Sequence, residues 1–152
     1  MQVTDKLIKD GDYAPDRNEH KSIVFLLTIK ADVAYLYDHY TLRQGLEKMR
    51  RHGYTAMPVI SKEGAYVGTV SEGDFLWQIL DADMRTAKSQ EKASVLDILR
   101  KGWNPAVKID ATMDELLPRV MEQNFVPVTD DRGMFIGIIT RKDIIRHCYG
   151  LA

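Results

Sequence analysis

Two stretches of this chain place a carboxylate three residues after a hydroxyl, each at what reads as a helix start. They are Ser71 with Asp74, in Gly68-Thr69-Val70-Ser71-Glu72-Gly73-Asp74, and Thr140 with Asp143, in Gly137-Ile138-Ile139-Thr140-Arg141-Lys142-Asp143. One carboxylate can accept hydrogen bonds from both hydroxyls of a ribose, and charge-assisted bonds of this kind contribute roughly 1.5–3 kcal/mol each. The free N–H groups and partial positive charge of a helix N-terminus suit a phosphate. A single turn could therefore hold both ends of a nucleoside phosphate. The same spacing is also a capping box, which only satisfies the first N–H groups of a helix. Thr41/Gln44, Ser94/Asp97 and Thr112/Glu115 share the pattern, and spacing by itself favours the capping reading.

The two stretches stand sixty-nine residues apart, and the matches continue around them: Pro58 with Pro127, Val59 with Val128, Gly64 with Gly133, Tyr66 with Phe135 and Ile79 with Cys148. Such a fixed offset marks an internal repeat. In the first copy the patterns predict a short helix over Ser22 to Thr28, a strand over Val33 to Tyr37, and a helix from Thr41 with Leu42, Leu46 and Met49 on one face, closed by Gly53. A strand over Ala56 to Ile60, a turn through Ser61 to Gly64 and a strand over Ala65 to Val70 follow. Ser71 then caps a helix with Phe75, Leu76, Ile79 and Leu80 facing inward. The second copy repeats this, with a short helix from Ser94 to Arg100 and a strand over Ala106 to Ile109. Its helix from Thr112 carries Met113, Leu116, Leu117, Val120 and Met121. Strands over Val126 to Thr129 and Met134 to Ile139 lead to a helix from Thr140 with Ile144, Ile145 and Cys148. Cys148, in the place of Ile79, reads as a small buried apolar residue. The expected organisation is an N-terminal arm at 1–21, repeats at 22–82 and 94–152 sharing one core, and a linker at 83–93. The offset drifts from 72 to 71 to 69, which places a loss of two residues between Phe125 and Val126, opposite Thr55 and Ala56.

With 21 basic and 22 acidic residues and no basic block, the chain offers no nucleic-acid footprint. Its single cysteine cannot form an intrachain disulfide, which fits a reducing cytoplasm. The apolar run Ile23 to Leu27 is too short to span a bilayer, so a cytoplasmic protein without a membrane partner is expected. His20, His39, His52 and His147 have no ligand spacing, so neither a metal nor a required cofactor is expected. No nucleophile motif, P-loop or glycine-rich dinucleotide turn appears, which points to a binding module and not an enzyme.

Met57-Pro58-Val59 and Val126-Pro127-Val128, each followed in register by a Gly-x-x-Ser/Thr-x-x-Asp signature, give the chain its family likeness. From about Ser22 to Tyr149 it resembles a tandem pair of CBS domains. The resemblance implies an α+β fold of two β-α-β-β-α repeats packed about a pseudo-two-fold axis, with two clefts between them. It implies an adenine nucleotide (AMP, ADP or ATP) as regulatory ligand, a homodimer with Leu76, Trp77 and Leu80 among its contacts, and a protein partner of unknown identity. Carried over residue by residue, the main cleft is formed by Thr140 and Asp143 with Thr28 to Ala34 and Tyr54 to Pro58, including Lys30, Ala34, Tyr54, Thr55 and Ala56. The second cleft is formed by Ser71 and Asp74 with Lys101 to Ala106 and Phe125 to Pro127, including Val126. The first is the better equipped by charge, since Arg141, Lys142 and Lys30 attract a phosphate and Glu72 beside Asp74 repels one. Tyr35, Tyr37, Tyr40 and Tyr54 are candidates for stacking on a base or for packing. Three other readings stand beside this one: an interaction module with vacant clefts, a sensor of cyclic di-AMP, NAD or S-adenosylmethionine, and a nucleotide hydrolase.

Overall fold

The computed structural model describes residues 22–150, so the expected arm at 1–21 lies outside the described residues. A 3₁₀ turn (Ile23–Leu26) leads into β1 (Thr28–Ile29), β2 (Leu36–Tyr37), α1 (Leu42–His52), β3 (Ala56–Ile60), β4 (Tyr66–Ser71) and α2 (Glu72–Asp81). A short helix α3 (Ala87–Gln90) is followed by a second 3₁₀ turn (Val95–Ile98), β5 (Val107–Lys108), α4 (Met113–Glu122), β6 (Phe125–Thr129), β7 (Phe135–Thr140) and α5 (Arg141–Cys148). The helix starts form where the sequence offers caps. Thr41, Ser71 and Thr112 each accept from the N–H three residues on, and Gly53 closes α1 in the left-handed region at φ +68°.

Each repeat builds its sheet in the same way. β2 runs parallel to β3, which turns back antiparallel as β4. In the second half β5 runs parallel to β6, which turns back as β7. The two hairpin turns hold each other reciprocally: Tyr66 N–H donates to the Gly133 carbonyl at 3.1 Å, and Phe135 N–H to the Gly64 carbonyl at 2.9 Å. This exchange across like positions relates the halves by a pseudo-two-fold.

The lead-in segments cross over. Ile23 and Leu26 pack with Leu116, Val120, Val126, Ile139 and Ile144 of the second repeat. Val95 and Ile98 pack with Leu42, Met57, Val70 and Phe75 of the first. β1 follows its turn across and pairs antiparallel with β7, Thr28 opposite Ile138. The expected single shared core is therefore corrected to two clusters, each completed by the segment that precedes the other repeat. A periodicity argument sees faces but not which half a face meets.

The stretch expected as the linker carries α3, whose Gln90 is buried and donates to the Met84 carbonyl at 3.0 Å. Three inward assignments are also corrected: Leu76 and Leu80 are exposed, and so is Cys148. Leu117, Met121 and Ile145, carried by α4 and α5, are exposed as well. The helices bury one narrow stripe on their own sheet and leave the neighbouring apolar positions outside. The expected loss opposite Thr55 and Ala56 is corrected too. Glu72 N–H donates to the Thr55 carbonyl as Arg141 N–H does to that of Asn124, and Ala56 pairs with Ser71 as Phe125 does with Thr140. Thr55 and Ala56 thus have counterparts in Asn124 and Phe125. The two extra residues of the first copy lie at the end of α1 and in the turn after it, around His52 and Tyr54. Among the described residues no helix is long and apolar enough to cross a membrane.

Candidate functional site

Between the repeats lies a cavity of about 350 Å³, lined by Thr28, Asp32, Val33, Ala34, Tyr54, Thr55, Ala56, Pro58, Asn124, Phe125, Ile138 and Thr140. Val33, Ala34, Ala56, Pro58, Phe125 and Ile138 give it apolar walls. Thr28, Asp32, Thr55, Asn124 and Thr140 supply polar groups, the usual make-up of a small-molecule site. The cavity owes one wall to the β1–β7 pairing, which sets Thr28 beside Ile138. Gly137 makes that pairing possible, because a Cβ there would overlap the Thr28 carbonyl oxygen and come within 2.9 Å of a Leu27 methyl.

Thr28, Ala34, Tyr54, Thr55, Ala56, Pro58 and Thr140 all stand on this wall. Asp143, Arg141 and Lys30 do not. Asp143 is half-buried in the first turn of α5, and its N–H donates to Thr140 Oγ1 at 3.1 Å. At Thr41, Ser71 and Thr112 the capping box closes both ways; at Thr140 only half of it is made. The Asp143 carboxylate has no hydrogen-bond partner among the described residues, and the Thr140 hydroxyl still has its proton to donate. Arg141 keeps its charge but is tethered at one nitrogen: its Nε donates to the Val120 carbonyl at 2.5 Å. With Lys142, Arg146 and Ile145 it borders a shallow depression that shares Asn124 and Thr140 with the cavity. Lys30 lines a second, open cavity that shares Asp32, Val33, Ala34 and Tyr54 with the first.

The twin position is filled by the protein itself. Asp74 accepts from Ser71 N–H at 2.8 Å and from the Ser71 hydroxyl at 3.0 Å. Arg100 Nε closes on the other oxygen at 2.9 Å, and the Arg100 guanidinium carbon sits 3.7 Å above the Trp103 ring. The donors that a ribose would offer are replaced by a guanidinium, and a stacked indole holds it there. Of the residues expected to complete this cleft, Phe125 lines the other cavity. Val126 is fully buried in the second core, because a strand's alternate residues face opposite sides. Ala106 is half-buried just ahead of β5.

A buried polar ring locks the same approach loop. Tyr66 O–H donates to the Asn104 carbonyl at 2.6 Å. The phenol has one proton, so Thr69 donates to the Tyr66 oxygen at 2.7 Å, and Asn104 Nδ2 donates to Thr69 at 3.2 Å. Arg119 reaches the Pro105 carbonyl and Asn104 Oδ1. Burial pushes the Tyr66 phenol up to about 12. A folded-state value above the unfolded one favours the neutral phenol, so this contribution to stability is complete below pH about 10 and fades as the pH rises through about 12. Spectrophotometric titration of the folded protein is expected to show one tyrosine ionising near pH 12, and Tyr66→Phe is expected to remove it.

The comparisons with known proteins agree with this architecture. Residues 27–81 and residues 95–150 each match the CBS domain. The chain belongs to the CBS domain family. This CBS pair is 25% identical over 157 residues to an uncharacterized protein of Methanocaldococcus jannaschii, covering 84% of this chain and 93% of that one. Its fold resembles that of CbpB in complex with c-di-AMP, with a TM-score of 0.79 and 24% identity over 87% of each chain. It also resembles CBSX2 in complex with AMP, with a TM-score of 0.69 and 21% identity over 85% of this chain and 96% of that one.

Among the described residues of the CBS pair, no three His, Cys, Asp or Glu side chains gather as metal ligands. Sequence reasoning did not single out Asn124 or Ile138, nor place Phe125 in this cavity. Asn124 was legible as the residue one position before the second hairpin strand, matching Thr55. Ile138 was legible as the position two before Thr140, on the same face of the strand.

Proposed function

We propose that this CBS pair is a regulatory module that takes an adenine nucleotide in the cavity between its repeats and signals to a protein partner by a change of shape. The reading rests chiefly on one observation: the cavity draws its wall from both repeats and ends at Thr140, beside a carboxylate with no partner among the described residues. A purine of matching size would lie against Val33, Ala34, Pro58 and Ile138, with Tyr54 at the exposed mouth. Asp143 would accept from the ribose hydroxyls, while the Thr140 hydroxyl and the first turn of α5 receive the phosphate. Two proteins of this fold are known in complex with c-di-AMP and with AMP, which supports the ligand class. Contacts to both repeats at once would couple binding to their packing. Among the described residues that line the cavity Asp32 is the one carboxylic acid and no base stands with it, which favours binding over catalysis; the setting is read as cytoplasmic.

Thermal shift with AMP, ADP, ATP, cyclic di-AMP, NAD and S-adenosylmethionine tests this on protein refolded free of ligand. A true ligand at a hundred times its dissociation constant is expected to add about 2.7 kcal/mol. If none raises the melting temperature, the chain is an interaction module with capped helices and vacant clefts. The closed capping box at Ser71 already fits that description for one of the two positions.

The partner-free chain is read as a homodimer. Leu76, Trp77 and Leu80 on α2 are exposed, with Trp77 at 61%, and Ile145 and Tyr149 at α5 are exposed as well. Light scattering is expected to give twice the chain mass, and Trp77→Glu is expected to give the monomer, since a charge at an apolar contact is costly to desolvate.

A further inference from the structure

The second cavity, of about 740 Å³, opens beside the first and shares Asp32, Val33, Ala34 and Tyr54 with it. Its remaining walls are Lys30, Ala31, Tyr35, Lys48 and His52. Two ammonium groups converge on one ring here: Lys30 Nζ lies 5.5 Å and Lys48 Nζ 5.2 Å from the Tyr35 centroid. Among the described residues neither lysine forms an ion pair. The His52 and Tyr54 rings stack at 5.6 Å with planes 11° apart, forming a flat wall. Asp32, on the wall shared with the first cavity, is the acidic group facing this cluster.

The other copy has no such feature. The position matching Lys48 is Arg119, whose guanidinium is engaged by the Pro105 carbonyl and Asn104 Oδ1. The two extra residues of the first copy fall around His52 and Tyr54, which are wall residues of this annex. Burial lowers the Lys48 ammonium from its usual value, and Arg51 adds to the effect. Like charges held near a partly desolvated site are stabilised by a bound anion.

We propose that the annex of Lys30, Lys48, His52 and Tyr35 is an anion subsite that receives a second phosphate group of a ligand whose base lies in the first cavity. This rests on the nucleotide reading above and narrows it. The preferred ligand carries a phosphate beyond the one at α5, either at the end of an oligophosphate chain or in a second phosphodiester. The depression bordered by Arg141, Lys142 and Arg146 shares Asn124 and Thr140 with the cavity, and the annex shares Asp32, Val33, Ala34 and Tyr54 with it, so positive charge adjoins the groove at two places.

Calorimetric titration with AMP, ATP and cyclic di-AMP tests it, on the whole chain and on Lys30→Met/Lys48→Met, which keeps the stems over Tyr35 and removes both charges. The single variants Lys30→Gln and Lys48→Gln serve if the double one does not fold. ATP or cyclic di-AMP is expected to lose roughly ten- to a hundred-fold in affinity, and AMP to change little. A greater loss for ATP assigns the annex to an oligophosphate, and a greater loss for cyclic di-AMP assigns it to a phosphodiester. Equal losses for all three ligands, or none, overturn the proposal. If no nucleotide binds the wild type, the reading under Proposed function fails, and inorganic pyrophosphate decides the annex alone. Amide shifts at residues 30–35 and 48–54 that vanish in the double variant support it, and shifts absent or unchanged there overturn it.

Discussion

Gly137→Ala is expected to lower the melting temperature by roughly 2–12 °C and to weaken nucleotide binding with it. The obstacle to the new methyl is the Thr28 carbonyl oxygen, a backbone atom that cannot rotate away. Relief requires β1 to slide off β7, and overfilling a packed site typically costs about 1–3 kcal/mol. In a chain of this length each kcal/mol shifts the transition by roughly 2–4 °C. Displacing β1 also moves Thr28 away from Ile138, and both line the cavity. Gly68→Ala is the matched control. There a Cβ meets only the Leu99 side chain, at 3.2 Å, which can turn, so a loss under about 1 kcal/mol is expected. Calorimetry of the two variants, with and without nucleotide, measures both effects. Equal destabilisation by the two alanines would show that the β1–β7 approach is not the constraint.

The paired carboxylates are expected to separate binding from stability. Asp143→Ala is expected to cost about 2–3 kcal/mol of nucleotide affinity, roughly thirty- to over a hundred-fold, because it removes the acceptor of two charge-assisted bonds. Its melting temperature in the absence of ligand is expected to change little, since no donor among the described residues meets that carboxylate. Asp74→Ala is expected to do the reverse. It removes the acceptor of the Ser71 N–H, the return half of the capping box of α2, and leaves Arg100 without its partner, a loss of about 1–2 kcal/mol of stability, with affinity at the main cavity unchanged. Side-by-side titration and thermal melts of the two variants read this out. If Asp74→Ala weakens binding as much as Asp143→Ala does, the twin cleft is a working site and Arg100 is displaced from it by ligand.

The repeat was legible because it is written in local rules. A hydroxyl cap, a proline within a strand and a glycine at a hairpin turn mean the same thing wherever they recur. The placement of Thr28, Ala34, Tyr54, Thr55, Ala56, Pro58 and Thr140 about one cavity followed from the family likeness laid onto that register. What stayed hidden depends on distant partners. Arg141 looks like an untethered cation until the Val120 carbonyl, twenty-one residues earlier, is seen to hold its Nε. Asp74 looks like Asp143 until Arg100 arrives from the other repeat. Cys148 matches Ile79 in the alignment of the copies, yet it lies in the last turn of α5 where the helix has left its sheet. Helix periodicity told which side chains are apolar; how wide a stripe each sheet covers was settled by packing.

The crossing of the lead-in segments has a bearing on how the molecule is made. Ile23 and Leu26 emerge from the ribosome among the earliest of the described residues, while Ile139 and Ile144, which must cover them, are among the last. Until the second repeat has been made those two side chains lack their core. The nascent polypeptide therefore completes its first globule only with Val95 and Ile98 in hand, and its second only once Ile139 and Ile144 have followed.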